Sequence, residues 1–537
     1  MLLLLPIGLL LLSALVIVIL IQIQPKFGTS WLIAVITSLV AWGVTFFLRL
    51  RLPTTLDLLS WQGPDLPLLG QLSLLLDYNS WPYVLALMTI TVAVILSDVA
   101  RTREDSTPGS WSACLVISAL GLFALQSGTS LTLMITWVVI DFFELLYLLR
   151  LKISSPFIPR IVISYGVRTA STLFLLFATS RGWASVGTFD LTQIPISAGF
   201  SFLMAASLRI GVFPLNLPFL QEPEMSRGTG TILRLTPVAL SLGLLTRLPT
   251  ALIPNQLSFW SPILQGMLAI TALYASIRWF AFADAIEGRP FWIIAWGAFA
   301  IAATLNGAPT ASLAWGIALL LPGSLLFLYF PRIQRMNFLL YLGLLGLLGI
   351  PFTPLASGWI GLITKGFNFW TVIFIFSHTF LVLGYINRIM QPGSEPRVLE
   401  SSARLVYPLS LIIIIQVIIT LGLVGWPGSL TLGVWWLAII SNILIIAITI
   451  LIWRYGSNTP KIHLPSNNIF AEVTRRVLPR LEPIFRLDWV YQAGWHIYSF
   501  LGRILSAFSS ILEGKGGILW TILLLVLFIS LLTGLIN

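Results

Sequence analysis

Cysteine, histidine and charge are what this sequence has least of. Its one cysteine, Cys114, lies in an apolar run, which excludes an internal disulfide. The three histidines, His378, His463 and His496, are far apart, and with a lone cysteine they form no ligand set for zinc, haem or an iron–sulfur cluster. No metal, cofactor or catalytic residue is therefore expected in this chain. Asp, Glu, Lys and Arg together make up 9% of its 537 residues, against about 25% in an average soluble domain. A soluble chain of this length needs a charged shell, and this one cannot build it.

What fills the sequence instead is hydrocarbon. Hydrophobic residues make up 57% and the mean hydropathy is +0.96, so length here counts membrane spans rather than globular domains. Sixteen apolar segments fall near 2–23, 31–48, 82–99, 110–127, 131–149, 160–180, 194–219, 232–248, 260–281, 290–306, 309–329, 337–364, 369–387, 406–423, 432–453 and 517–536. The first lacks a basic leader and an A-x-A cleavage site and is long enough to cross a core of about 30 Å, so it reads as a span. Segments seven and twelve carry Pro214 with Pro218 and Pro351 with Pro354, which predicts a broken helix in each.

The net charge of +11 does not point to nucleic acid, because the basic residues are spread thinly through short loops. Through the first fourteen spans, 15 lie in odd-numbered connections (Arg234 and Arg289 counted among them) and 5 in even-numbered ones. By the positive-inside rule the odd connections are cytoplasmic. The expected location is the cell (inner) membrane, multi-pass, with the N-terminus outside and residues 454–516 in the cytoplasm. Within that last segment Asp488, Gln492, His496, Ser499, Arg503 and Ser506 recur at spacings of three and four. They mark one face of an amphipathic helix, suited either to lying on the membrane surface or to binding a partner.

A charge at bilayer depth costs roughly 2.5–3.5 kcal/mol on insertion scales, so it needs a partner or a wet cavity. Asp141 and Glu144 in span five, Arg168 in span six and Arg209 in span seven are such charges. The two acids are three residues apart and share a helix face. Two readings fit these residue types: a static ion-pair cluster that locks three helices, or part of a proton path. The prolines after Arg209 likewise fit a simple kink or a break that lines an ion site.

Several segments in order resemble a known family. LSLLLDYNSWPYVLALMTITVAVILSDVAR, with Asp77, is similar to its third span; SGTSLTLMITWVVIDFFELLYLLRL to its fifth; RIGVFPLNLPFLQEP to its lysine-containing break; and LGIPFTPLASGWIGLI to its second break. The family is that of the antiporter-like membrane subunits, of L, M and N type, of respiratory complex I (NADH:quinone oxidoreductase), shared with Mrp-type cation/proton antiporters and membrane-bound hydrogenases. The resemblance covers roughly residues 60–390. It implies an all-α polytopic fold with two five-helix halves, 110–248 and 249–390, following three spans in 1–109. Two further spans in 391–453, a lateral-type amphipathic helix in 454–516 and a last span in 517–537 complete the expected order.

The departures carry as much information. The span-seven lysine of the family is matched by Arg209, and its span-five glutamate by Asp141 or Glu144. Its span-eight lysine falls near Ala239, and the charged residue of the second break near Leu362, with Lys365 one turn on. The span-eleven histidine and lysine are absent from GIALLLPGSLLFLY, and Asn216 stands at the histidine of the first break. Lysine can release a proton when its carboxylate partner moves away, whereas arginine stays protonated. Asp141, Glu144, Arg168, Arg209, Lys365 and His378 are thus candidates for a proton path or for buried pairing. The resemblance implies a subunit of a redox-driven proton- or cation-translocating complex, with other polytopic subunits and the lipid bilayer as partners and electrons passing through those partners. The departures leave a non-conducting scaffold and an Mrp-type antiporter subunit as alternatives. An unrelated transporter or lipid-linked glycan enzyme would need long catalytic loops, which the sequence lacks.

Overall fold

The computed structural model describes residues 1–23, 27–59, 72–100, 107–150, 158–187, 189–213, 227–252, 259–282, 284–329, 336–364, 366–391, 401–430, 434–455, 496, 499–500, 502–504, 506 and 515–534. Two compact units are present, residues 1–462 and 463–537.

In the first unit the helices are α1 (Leu4–Ile23), α2 (Phe27–Phe47), α3 (Trp81–Ser97), α4 (Pro108–Leu125), α5 (Ser130–Arg150), α6 (Ile158–Val186), α7 (Ile196–Ile210) and α8 (Arg227–Leu245). They continue with α9 (Trp260–Ala281), α10 (Ala285–Leu305), α11 (Pro309–Leu328), α12 (Asn337–Gly343), α13 (Ile360–Ile363), α14 (Phe369–Met390), α15 (Ser401–Val424) and α16 (Trp435–Tyr455). The second unit contains α17 (Lys515–Gly534), whose described residues Leu519–Ser530 are all exposed. Among the described residues, eleven helices are long and apolar enough to cross a membrane, and shorter apolar helices stand at the remaining predicted segments. The helices form because a backbone in hydrocarbon must satisfy its own N–H and C=O groups.

The core is a column of four helices. α3 is buried along its whole length and α8, α10 and α11 along all but their first turns, while α1, α2, α5 and α6 turn large apolar side chains such as Leu12, Ile36, Val139 and Leu173 outward. Small residues let the column close. A Cβ on Gly297 would come within 2.6 Å of Ile210, and one on Gly323 within 2.5 Å of the Trp292 indole nitrogen.

One element departs from an all-helical chain. Residues Thr54–Leu59 (β1) and Leu72–Leu76 (β2) pair antiparallel, with Thr54 opposite Leu76 and Asp57 opposite Ser73. Arg247, just past α8, holds this hairpin: it donates to the carbonyls of Ser127, Leu75 and Leu125 and pairs with Asp77 at 3.9 Å. Burial pushes its guanidinium down from the ordinary value, while Asp77 and Asp190 pull it up. Asp77 also accepts from the backbone N–H groups of Asn79 and Ser80 at the start of α3.

The predicted break in segment twelve is present. Between α12 and α13 the chain runs through two 3₁₀ turns, Leu344–Gly346 and Pro354–Ser357, with Pro351 between them and positive φ at Gly349 (61°) and Phe352 (68°). The interrupted ladder frees carbonyls inside the bilayer, and side chains from elsewhere reach them. His378 donates to Leu347 O (2.8 Å), Asn442 to Leu348 O (2.9 Å), Trp315 to Gly358 O (3.0 Å) and Asn306 to Gly361 O (3.0 Å). This break is covered by protein, one of the two ways irregular backbone survives at membrane depth. In segment seven, α7 ends at Ile210 with Gly211 in the left-handed conformation (φ 89°). Pro214, Asn216 and Pro218 lie outside the described residues, as do Lys365 and most of the predicted amphipathic tail.

Candidate functional site

Helices α5, α6, α7 and α8 bring intramembrane charges to one place. On α5, Trp137, Asp141, Glu144 and Leu148 recur at spacings of four, three and four, and all are buried. Val138, Val139, Phe142, Leu146 and Leu149 occupy the outward face. The helical period alone thus delivers both carboxylates to the interface with α6, α7 and α8.

Each carboxylate meets arginines from different helices. Arg209 of α7 grips Asp141 with both terminal nitrogens, at 2.8 and 2.5 Å, and its guanidinium lies over the Trp137 ring, 4.4 Å from the centroid. Arg168 of α6 donates to Glu144 and stands 3.7 Å from Asp141. Arg234 of α8 takes the other Glu144 oxygen at 3.1 Å. Asp141 is therefore the partner of Arg209, and Glu144 bridges Arg168 and Arg234. All five side chains belong to residues at most 6% exposed. Every carboxylate oxygen is engaged by a guanidinium.

Arg234 corrects the sequence reading. The sequence pattern places it with the loop charges, but it lies in the middle of α8, as Arg289 lies inside α10. Both are buried, so neither reports which side of the membrane a loop occupies. The available signal was position: Arg234 falls inside the apolar segment 232–248. Trp137, one turn before Asp141, is likewise part of the site.

The helices from α9 to α14 are built differently. Among them Trp279, Trp292, Trp296, Trp315 and Trp359 form a chain of ring contacts, with successive centroids 4.9, 5.4, 5.8 and 5.2 Å apart. His378 is set edge-on among the last three. Its Nε2 faces Leu347 O and its Nδ1 lies 2.7 Å from Ser441 Oγ. The arrangement fits a neutral ring that donates through Nε2 and accepts through Nδ1. Among the described residues of 260–390, no Asp, Glu or Lys is buried. The buried arginines there meet other groups: Arg388 stacks on Trp279 at 3.5 Å and donates to Gly384 O, Trp279 O and Phe282 O, and Arg289 donates to Thr231. Of the predicted residues, Asp141, Glu144, Arg168 and Arg209 come together, while His378, Pro351 and Pro354 belong to the covered break.

No family model and no curated protein matches this chain. Solved structures do. A chain of the Mrp complex from Dietzia sp. DQ12-45-1b superposes with a TM-score of 0.68 at 16% identity, over 94% of this chain. This chain spans 63% of that one. A chain of the membrane-bound sulfane sulfur reductase, an archaeal respiratory membrane complex, gives 0.67 at 15% identity, covering 98% of this chain and 100% of that one. A chain of respiratory complex I from Thermus thermophilus gives 0.59 at 13%, covering 78% and 98%. At these identities the likeness is one of fold, and the fold is that of subunits of multisubunit membrane complexes.

Proposed function

We propose that this chain is an antiporter-like subunit of a cation-translocating membrane complex, and that within the complex it braces neighbouring subunits without relaying protons itself. The observation that carries this is the second half. Where a relay needs titratable groups and a wet break, the described residues there set indoles side by side, and His378, Asn442, Trp315 and Asn306 cover the carbonyls of the break. The first half supports the same reading, because its two acids are tied to arginines, which hold a carboxylate but do not pass on a proton. The chain has no ligand set for a redox centre, so in a redox-driven host such as an NADH:quinone oxidoreductase other subunits would carry the electrons. We place it in the cell (inner) membrane with the N-terminus outside and 454–516 in the cytoplasm.

A second reading, conduction through the first half alone, is favoured by one observation: two carboxylates share one buried cluster. Arg209→Lys separates the two. It keeps the charge but replaces the fork on Asp141 with a titratable amine. In the complex purified from native membranes, a bracing subunit tolerates this change with the cations moved per turnover unaltered. A changed stoichiometry or pH dependence in a normally assembled complex would overturn the proposal.

A further inference from the structure

The outward face of α15 contains a residue that lipid cannot satisfy. Its exposed positions Leu405, Leu409, Ile412, Gln416, Ile419 and Leu423 alternate at spacings of four and three. The opposite face, including Tyr407, Leu411 and Ile418, is buried in the bundle. Leu405–Val424 is long and apolar enough to cross a membrane, and Gln416 sits roughly 2 Å from its midpoint at about 1.5 Å per residue. That is too deep for its side chain to reach an aqueous interface.

Three threonine hydroxyls on the outer helices are satisfied within their own helices. Thr169 donates to Tyr165 O at 3.0 Å, Thr37 to Ile33 O at 2.6 Å and Thr420 to Gln416 O at 2.9 Å. Threonine can fold back in this way because its hydroxyl sits on Cβ, close to the carbonyl one turn before. The glutamine amide is two bonds further out, and among the described residues it makes no hydrogen bond. Hydrocarbon offers it neither donor nor acceptor.

We propose that this stripe is the docking seam for a transmembrane helix of another subunit, one that presents an amide or hydroxyl side chain to Gln416 near mid-membrane. The spacing of the stripe is that of a seam between helices crossing at a shallow left-handed angle. A polar group in such a seam sets the register of the pair. The inference rests on the reading of the chain as one subunit of a mixed complex, which selects a different subunit over a second copy.

The test uses the full chain in its native membrane. A photoreactive benzoylphenylalanine replaces Leu409 or Ile412, with Ile439 on the outward face of α16 as the control position. Irradiation from 409 and 412 is expected to crosslink a second polytopic protein, and from 439 to do so at least several-fold less. Gln416→Leu removes no side-chain hydrogen bond made among the described residues, so insertion should be normal while retention of that partner in detergent falls about three- to tenfold. Gln416→Asn should retain more of the partner than Gln416→Leu. If no other polytopic protein copurifies with the unaltered chain, the subunit reading and the seam both fall. If one copurifies but crosslinks from 409 and 412 reach only lipid, this chain or a second copy of it, the seam alone is overturned. Unchanged retention with Gln416→Leu has the same meaning.

Discussion

Replacing Glu144 by glutamine tests the cluster with almost no change of shape. Glu144 stands between Arg168 and Arg234, with Arg234 Nη1 3.1 Å from one carboxylate oxygen. At that separation, with an effective dielectric of about 20, the pair attraction is about 5 kcal/mol before desolvation is offset. The amide NH₂ must also face one of the two guanidiniums, donor against donor. Removing one partner of a buried pair typically costs about 3–5 kcal/mol, and we expect the lower half of that range. Arg168 stands 3.7 Å from Asp141 and can shift its charge toward that carboxylate. The assay is equilibrium unfolding of the subunit in bicelles by steric trapping. Arg234→Met is then added to Glu144→Gln. With one stranded cation removed, the double variant should lose at least about 1 kcal/mol less than the sum of the single losses, the coupling expected of contacting residues. A loss below about 1 kcal/mol for Glu144→Gln, or simple additivity in the double variant, would refute the claim that this cluster locks α5, α6 and α8 together.

His378→Phe should leave the Leu347 carbonyl without the His378 donor and Ser441 with only Thr379 as a hydroxyl partner, costing about 1–3 kcal/mol in the same unfolding assay; cation translocation by the complex should not change. Arg247→Met should free the carbonyls that hold β2, seen as faster amide hydrogen exchange over residues 72–76 with little change in the central helices. In a Cys114→Ser background, single cysteines at 103 and 250 should be labelled by an impermeant reagent from opposite sides of the membrane; labelling of both from one side would discard the orientation inferred from loop charge.

Hydrophobicity along the chain was enough to place the helices, because in a bilayer the backbone has almost no alternative to forming one. Prolines 351 and 354 marked the second break for an equally local reason: proline removes a donor and clashes with the preceding turn. The three-residue spacing of Asp141 and Glu144 put both acids on one face. Such features depend on residues within a turn or two of each other, and a sequence carries them openly.

Which acid meets Arg209 depends on how α5 is rotated against α7, and no local pattern encodes that rotation. Arg234 illustrates the same limit. Near one end of an apolar segment a charge reads as a loop residue, and only the tertiary fold, with α8 packed against α4 and α7, brings it within reach of Glu144 on α5. The hairpin was invisible because its strands are five and six residues long and depend on Arg247, far along the chain. The covering of the second break was equally hidden, since its donors come from positions 306, 315, 378 and 442. The sequence by itself determined a membrane protein of many spans with charges it had to hide. Tertiary structure decided which charges meet and which carbonyls are covered, because pairing and desolvation depend on distances between helices that only packing sets.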